Sequence, residues 1–258
     1  MTIKVVLLDL DHTLVRTDGF KQLSTDASII RMQAEAMQKF RIRIPRTLLE
    51  GTMKEIRSEK GSNYEHLLNE TMNKVGPKVG ITDQTCLDMV ASAGISAHHM
   101  IKNAYFAFMF PEVIETLSAL KQRGLMLALA TAGITHKQID KINWAQLSSL
   151  FDRIYVTEQF IKEKKLTDVS RDIKLPEYFL WISEKVGRSP GEMIMGGDSY
   201  PNDIESAKKA GYWTFHVVRS GESENKGPAA DFVSEDLTKL PQAIDDIDNN
   251  AVRLDQPS

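Results

Sequence analysis

Residues 5–14 read VVLLDLDHTL, a short apolar run that passes directly into two aspartates. The run Val5–Leu8 lacks the polar alternation of a half-exposed strand and is typical of a strand buried on both faces of a parallel sheet. Burying a carboxylate directly after such a strand costs on the order of several kcal/mol unless a cation or hydrogen-bond donors compensate for it. We therefore expect a positively charged group beside Asp9 and Asp11.

Further apolar runs of strand length follow Lys4–Leu8 along the chain, separated by segments long enough for helices. These runs are Met126–Ala130, Arg153–Val156, Met193–Met195 and Thr214–Val218. The intervening segments Pro111–Arg123 and Pro176–Val186 are amphipathic, and each is followed by a glycine that can end a helix. This recurrence of strand, helix and strand predicts an α/β fold with a doubly wound parallel sheet.

The interval from residue 16 to residue 109 has a different pattern. It shows helical periodicity over Ile29–Phe40 and Tyr64–Val75 and little β character. We interpret it as a helical domain inserted into the sheet domain. The predicted organisation is a discontinuous core of residues 1–15 and 110–247, a helical insertion of residues 16–109, and a polar tail of residues 248–258.

The composition excludes several classes of protein. The 258 residues include 32 Lys and Arg against 35 Asp and Glu, a net charge of −3 without the basic excess of nucleic-acid or anionic-membrane binders. The single cysteine, Cys86, cannot form an internal disulfide. Neither an export signal nor an apolar segment of about 20 residues is visible. We expect a cytoplasmic protein with no nucleic-acid or membrane partner, and its oligomeric state stays open.

A second pair of carboxylates follows another predicted strand, in the stretch MIMGGDSYPND of residues 193–203. Ligands of open α/β sheets bind beyond the carboxyl ends of the strands. If the two strands are neighbours, Asp9, Asp11, Asp198 and Asp203 converge on one oxygen-rich site. Oxygen ligands suit Mg²⁺, and the lack of nearby Cys or His disfavours zinc.

These motifs resemble those of the haloacid dehalogenase-like (HAD) hydrolases. The family's first motif, Asp-x-Asp-x-Thr, is matched by Asp9, Asp11 and Thr13, and its fourth, Gly-Asp-Ser-x-x-x-Asp, is matched by residues 197–203. Its second motif, an apolar strand that ends in Thr or Ser, is matched by LALAT at residues 127–131. The resemblance covers residues 3 to about 240 and implies a Rossmann-like core. The long interval between the first two motifs implies a helical type-one cap.

The third motif departs from the family pattern by one residue. It normally supplies a lysine just before a helix that begins with proline, and the usual position here is Ile173. Lys174 follows directly and is the preferred candidate. Lys162, Lys164 and Lys165 remain alternatives.

The resemblance assigns a role to each matched residue. Asp9 is the nucleophile that forms an aspartyl-phosphate, and Asp11 is the general acid and base, with its backbone carbonyl facing Mg²⁺. The other implied roles are phosphate binding by Thr131, by Lys174 and by the amides of Leu10 and Ala132, metal ligation by Asp198, and orientation of metal-bound water by Asp203.

Together these features predict a Mg²⁺-dependent phosphatase that acts on a small phosphorylated metabolite. Asp11 favours a phosphatase over a dehalogenase, because a departing halide needs no proton. Two alternatives share the same residues. One is a phosphosugar mutase of the same superfamily, and the other is a catalytically silent binding protein that keeps the fold.

Overall fold

The computed structural model describes residues 2–61, 64–219 and 230–254, with side chains described as far as residue 250. The chain divides into two compact units. One, the core unit, comprises Met1–Thr17 and Phe106–Ser258, and the other, the helical unit, comprises Asp18–Tyr105. The helical unit therefore starts two residues later and ends four residues earlier than the predicted insertion of residues 16–109.

The core unit contains one six-stranded sheet in which every neighbouring pair is parallel. Its strands are β1 Val5–Leu8, β2 Met126–Thr131, β3 Arg153–Val156, β4 Met193–Gly197, β5 Trp213–Val217 and β6 Phe232–Ser234. Their order is β3-β2-β1-β4-β5-β6, so the predicted doubly wound α/β fold is confirmed. All four residues of β1 are buried, as the unbroken apolar run requires of a strand with neighbours on both sides.

Helices flank the strands of the core unit and form most of the helical unit. Along the described chain they are α1 Thr17–Phe40, α2 Arg46–Lys60, α3 Leu67–Val75, α4 Gln84–Lys102, α5 Val113–Gln122, α6 Thr135–Trp144, α7 Thr157–Lys164, α8 Pro176–Val186, α9 Ser206–Lys209 and α10 Leu240–Leu254. Pro176 is the first residue of α8, and Gly187 ends it in the left-handed conformation. No helix in the described part of the chain is long and apolar enough to cross a bilayer.

The helical unit has a hydrophobic core of its own. Helices α1 to α4 contribute apolar side chains at helical spacing, including Ile29, Met32, Leu49, Met53, Leu68, Met72, Leu87 and Val90. Each of these side chains is at most 8% exposed. The periodicity that predicted helices over this interval thus reflects burial against neighbouring helices.

Two features differ from the sequence-based expectations. The short edge strand β6 was not predicted, because it has three residues and its central Val233 is 57% exposed. The predicted polar tail of residues 248–258 begins inside α10, which continues to Leu254 and buries Ile244 and Ile247 on one face. Residues 255–258 of that tail lie outside the described residues.

Candidate functional site

The carboxyl ends of β1 and β4 bring three aspartates together. Leu8 pairs with Gly196 in adjacent strands, and the amide of Asp9 donates to the Gly196 carbonyl at 3.0 Å. The two chain segments that follow these strands are therefore neighbours. One carboxylate oxygen each from Asp9, Asp198 and Asp203 lies within 4.8 Å of the others.

Lys174 is the cation that faces this group. Its Nζ lies 2.5 Å from Oδ1 of Asp9 and 2.5 Å from Oδ1 of Asp203, and the residue is only 2% exposed. The other carboxylate oxygen of Asp203 accepts a hydrogen bond from the Ser199 amide at 3.0 Å. The lysine reaches the aspartates because the helix beginning at Pro176 fixes the end of its loop.

The alternative lysines lie on the surface. Lys162 pairs with Glu158 at 3.2 Å, and Lys164 pairs with Glu184 at 3.4 Å. Lys165 is exposed and adopts a left-handed conformation at the end of α7. Of the four candidates, Lys174 is the one that the structure brings to Asp9.

The three aspartates resist ionising together. Burial raises the pKa of Asp9 to about 7, against the lowering effect of Lys174, and Asp203 and Asp11 raise it further. Burial, followed by repulsion from Asp9, raises the pKa of Asp198 to about 6, and burial also raises the pKa of Asp203. Burial opposes the charge on Lys174, but Asp203 and Asp9 outweigh it and raise the lysine pKa. A further cation would relieve this repulsion.

The donor set fits a hard divalent cation. The ligand atoms are carboxylate oxygens, and the group found among the described residues contains neither histidine nor cysteine. Oxygen ligands of this kind are preferred by Mg²⁺ and Ca²⁺ over softer metals. Asp9, Asp198 and Asp203 could therefore hold Mg²⁺.

The carboxylate of Asp11 has partners outside this group. Its Oδ1 accepts a hydrogen bond from the Thr17 hydroxyl at 2.6 Å, and its Oδ2 accepts one from Nζ of Lys141 at 2.6 Å. Its side chain is 29% exposed, more than those of Asp9 and Asp203. Sequence reasoning missed Lys141, which lies on α6 and meets Asp11 only through the tertiary fold.

Thr131 ends β2 with its side chain buried. Its hydroxyl lies 3.4 Å from Oε1 of Gln138, whose amide nitrogen donates to the Ala132 carbonyl at 2.9 Å. The next residue, Gly133, has φ +130° and donates its amide to the carbonyl of Arg171 at 2.9 Å. The loop after β2 is thus tied to the segment that carries Lys174.

The loop after β1 is a tight turn. The carbonyl of Leu10 accepts hydrogen bonds from the amides of Leu14 and Val15 at 3.0 and 3.1 Å. The hydroxyl of Thr13 donates to Oδ1 of Asp198 at 3.0 Å, which links this loop to the one after β4. Spacing within the first motif had marked Thr13, but its partner depends on the pairing of β1 with β4.

Asp198 has a second contact through its backbone. Nε2 of His216, on β5, lies 3.0 Å from the Asp198 carbonyl, and the histidine is 2% exposed. The sequence held no signal for this contact, because His216 lies within an apolar strand without a polar neighbour at ligand spacing.

Comparisons with a family model and with curated proteins point to the same family. A family model described as haloacid dehalogenase-like hydrolase matches residues 6–217. The chain is similar to a glyceraldehyde 3-phosphate phosphatase from Methanothermobacter thermautotrophicus, with 30% identity over 213 residues, 81% of this chain and 83% of that protein. It is also similar to a phosphoglycolate phosphatase from Escherichia coli O157:H7, with 24% identity over 252 residues, 95% of this chain and 91% of that protein.

Solved structures share the fold. A 2-haloacid dehalogenase from Pseudomonas syringae superposes with a TM-score of 0.63 at 19% identity, covering 95% of this chain and 99% of that chain. A HAD phosphatase from Thermococcus onnurineus gives a TM-score of 0.59 at 21% identity, covering 93% of this chain and 97% of that chain. At these identities the structural likeness concerns the fold alone.

Proposed function

Because the chain belongs to the haloacid dehalogenase-like hydrolases, we propose that it is a phosphatase that hydrolyses a small phosphomonoester through attack of Asp9 on phosphorus. The observation that carries this proposal is the environment of the Asp9 carboxylate. It lies beyond the end of β1, 2.5 Å from the Lys174 ammonium, in one group with Asp198 and Asp203. A carboxylate nucleophile needs alignment and compensation of charge, and this group supplies both.

The proposed reaction has two steps. In the first, an oxygen of Asp9 forms a bond to phosphorus while the bond from phosphorus to the ester oxygen breaks, which leaves an aspartyl-phosphate. In the second, water attacks that phosphorus, inorganic phosphate leaves, and the Asp9 carboxylate is restored. Lys174 reduces the repulsion between Asp9 and the phosphate dianion in the first step.

Asp11 is the proposed proton donor and acceptor. It gives a proton to the departing ester oxygen in the first step and takes one from the attacking water in the second. Thr17 and Lys141 contact its two carboxylate oxygens and fix its orientation. Both contacts favour the ionised form, which takes the proton in the second step. The remaining phosphate contacts are proposed for the hydroxyl of Thr131 and for the amides of Leu10 and Ala132.

The proposed cofactor is Mg²⁺. Asp9 and Asp198 would ligate it directly, together with the backbone carbonyl of Asp11, and Asp203 would bind through water. When bound there, Mg²⁺ would offset negative charge on the phosphate oxygens. The carboxylate donor set and the raised pKa values of Asp9 and Asp198 support this choice.

The proposed substrate class is a small phosphorylated metabolite. The curated relatives are named for glyceraldehyde 3-phosphate and for phosphoglycolate, which makes these two compounds the first candidates. A phosphosugar mutase would use the same first step, but it would return the phosphoryl group to a sugar. Release of inorganic phosphate equal to the ester consumed supports hydrolysis.

The experiment is phosphate release from para-nitrophenyl phosphate and from the two candidate esters, with Mg²⁺ and with EDTA. Wild type is compared with Asp9→Asn and with Asp168→Asn, a control at an exposed aspartate. We expect metal-dependent release in wild type and control, and only background in Asp9→Asn with an unchanged circular dichroism spectrum. Undiminished phosphate release by Asp9→Asn would contradict the assignment of Asp9 as the nucleophile. If wild type releases no phosphate from any of the three esters, the proposed phosphatase function is wrong.

A further inference from the structure

Arg219 lies two residues beyond the end of β5 and is 8% exposed, although arginine is rarely buried. Its Nη2 donates to the Thr13 carbonyl at 2.6 Å, and its Nη1 donates to Oε1 of Glu112 at 2.5 Å. The guanidinium carbon lies 3.6 Å from the centroid of the Phe110 ring. Among the described residues its Nε has no hydrogen-bond partner.

This burial is costly in itself. Removing a charge from water is offset only by good geometry and full hydrogen bonding, and Nε lacks a described partner. An ion pair with Glu112 could be made at the surface without that cost. The contact with Thr13 could not be made at the surface, because Thr13 is fully buried. Arg219 must therefore be buried to reach the Thr13 carbonyl.

Thr13 connects Arg219 to Asp198. Its carbonyl accepts from Arg219, and its hydroxyl donates to Oδ1 of Asp198 at 3.0 Å. The turn around Thr13 is closed by the amides of Leu14 and Val15, which both donate to the carbonyl of Leu10. Fixing the Thr13 carbonyl therefore fixes the backbone position from which its hydroxyl reaches Asp198.

We propose that Arg219 is a positioning residue that holds the Asp198 carboxylate in place for cation binding, through Thr13. The inference rests on the proposed function only in taking Asp198 as a ligand of Mg²⁺. A lysine cannot replace Arg219, because it has no planar group to stack on Phe110 while donating in two fixed directions. Partners that orient metal ligands in this way commonly change metal affinity by about 10- to 100-fold when removed.

The test is Mg²⁺ binding by calorimetry on the full chain, without any activity measurement. The variants are Arg219→Ala, Thr13→Val and the double variant. We expect each single variant to weaken Mg²⁺ binding by about 10- to 100-fold. Because Arg219 acts on Asp198 only through the Thr13 hydroxyl, the double variant should be no weaker than the more affected single variant.

Glu112→Gln is the matched control. The amide oxygen of glutamine still accepts from Nη1, so Arg219 keeps its place while the buried ion pair is lost. We expect Mg²⁺ affinity like that of wild type in this variant, together with lower stability in urea. Added methylguanidinium should restore Mg²⁺ binding to Arg219→Ala, which a general loss of stability would not allow.

Several results would overturn the inference. They are wild-type affinity in folded Arg219→Ala, additive losses in the double variant, an equal loss in Glu112→Gln, or no Mg²⁺ binding by wild type. If Arg219→Ala does not fold, Arg219→Lys is measured instead. If neither variant folds, Arg219 stabilises the fold and the positioning role is rejected. If wild type binds Mg²⁺ but hydrolyses no ester, the proposed function fails while this inference stands.

Discussion

At the end of β1, one buried lysine faces three carboxylates. Asp9, Asp198 and Asp203 carry three negative charges when ionised, and Lys174 carries one positive charge, which leaves a net charge of −2. Burial makes that charge costly, and the raised pKa values of Asp9 and Asp198 reflect the cost. A divalent cation would balance it. The charge balance of the site therefore depends on Lys174 as well as on the aspartates.

The first prediction concerns Lys174→Ala. We expect a fall in kcat of about 100-fold or more, as for loss of a single charged group that stabilises a transition state. The free energy of unfolding should also fall by up to about 3–5 kcal/mol, because the change leaves two buried carboxylates without their partner. Steady-state kinetics and urea unfolding measure the two effects.

The matched controls are Lys162→Ala and Lys164→Ala, whose side chains are 69% and 44% exposed. The exposed Lys164–Glu184 pair contributes only about 0–1 kcal/mol. Glu158 keeps the Thr135 amide and Arg171 as partners when Lys162 is removed. Both variants should therefore keep their kcat and most of their stability. A larger loss of kcat in either control than in Lys174→Ala would move the third motif to that lysine.

Elementary electrostatics predicted the kind of group beside the aspartates but not every residue that supplies it. A buried carboxylate after an apolar strand predicted a cation beside Asp9 and Asp11, and the structure has Lys174 at one and Lys141 at the other. Lys174 could be proposed because the family resemblance implies a lysine just before a helix that begins with proline, here Pro176. Lys141 could not, because it follows Asp11 by 130 residues on a helix with no local motif.

Among the elements, the last residue of β4 must be a glycine for reasons of space. A Cβ on Gly197 would overlap the Asp203 side chain, which is itself held by Lys174 and by the Ser199 amide. Asp203 is fully buried and cannot move aside without leaving its partners. The sequence does not reveal this close approach, because it depends on how the segment after β4 folds back onto Gly197.

The second prediction is that Gly197→Ala displaces Asp203 and lowers kcat by about 10-fold or more, since small misplacements of catalytic groups are costly. Overpacking should also lower the free energy of unfolding by about 1–3 kcal/mol. The control is Gly51→Ala on α2, where a Cβ meets nothing within 4 Å. That variant should keep its kcat and be slightly more stable. Equal kinetics in the two variants would contradict the steric role of Gly197.

The strands were predictable because burial on both faces leaves an unbroken apolar run. The run Arg153–Val156 coincides with β3, and the other predicted strands differ by one or two residues at their ends. The edge strand β6 gave no such signal, since Val233 faces solvent. The polar residues Asp248, Asn249 and Asn250 concealed the continuation of α10, because only one face of its residues 240–250 is buried.

For the whole molecule, acid stability also depends on a histidine of the helical unit. His98 lies on α4 in the helical unit, with its ring 6.3 Å from that of Phe20. Burial lowers the pKa of His98 to about 4 from 6.5, and the positive charges of Lys102, His99 and Arg57 lower it further. The folded protein therefore keeps this imidazole neutral at a pH where the unfolded chain protonates it.

The third prediction follows from that difference. Between pH 6.5 and about 4 the unfolded chain binds a proton that the folded chain does not, so the free energy of unfolding decreases as the pH falls through this window. His98→Gln should remove this part of the decrease. Urea unfolding at about pH 7.5 and about pH 5 measures it, and His66→Gln, at an exposed histidine in the same unit, is the control. An identical pH dependence in His98→Gln and wild type would contradict the assignment.

The fourth prediction couples the stability of the molecule to Mg²⁺. A ligand that binds only the folded state adds about 2.7 kcal/mol to the free energy of unfolding at 100 times its Kd. Wild type should therefore show a Tm that rises with Mg²⁺ concentration. Asp198→Asn should show a smaller rise because it loses one ligand and one negative charge, while Asp168→Asn should behave as wild type.

Without Mg²⁺ the order of the two proteins should reverse. Burying the ionised Asp198 carboxylate lowers the stability of wild type, and asparagine removes that cost. Asp198→Asn should thus be at least as stable as wild type in EDTA and less stable in saturating Mg²⁺. The crossing of the two titration curves separates cation binding from general damage to the fold.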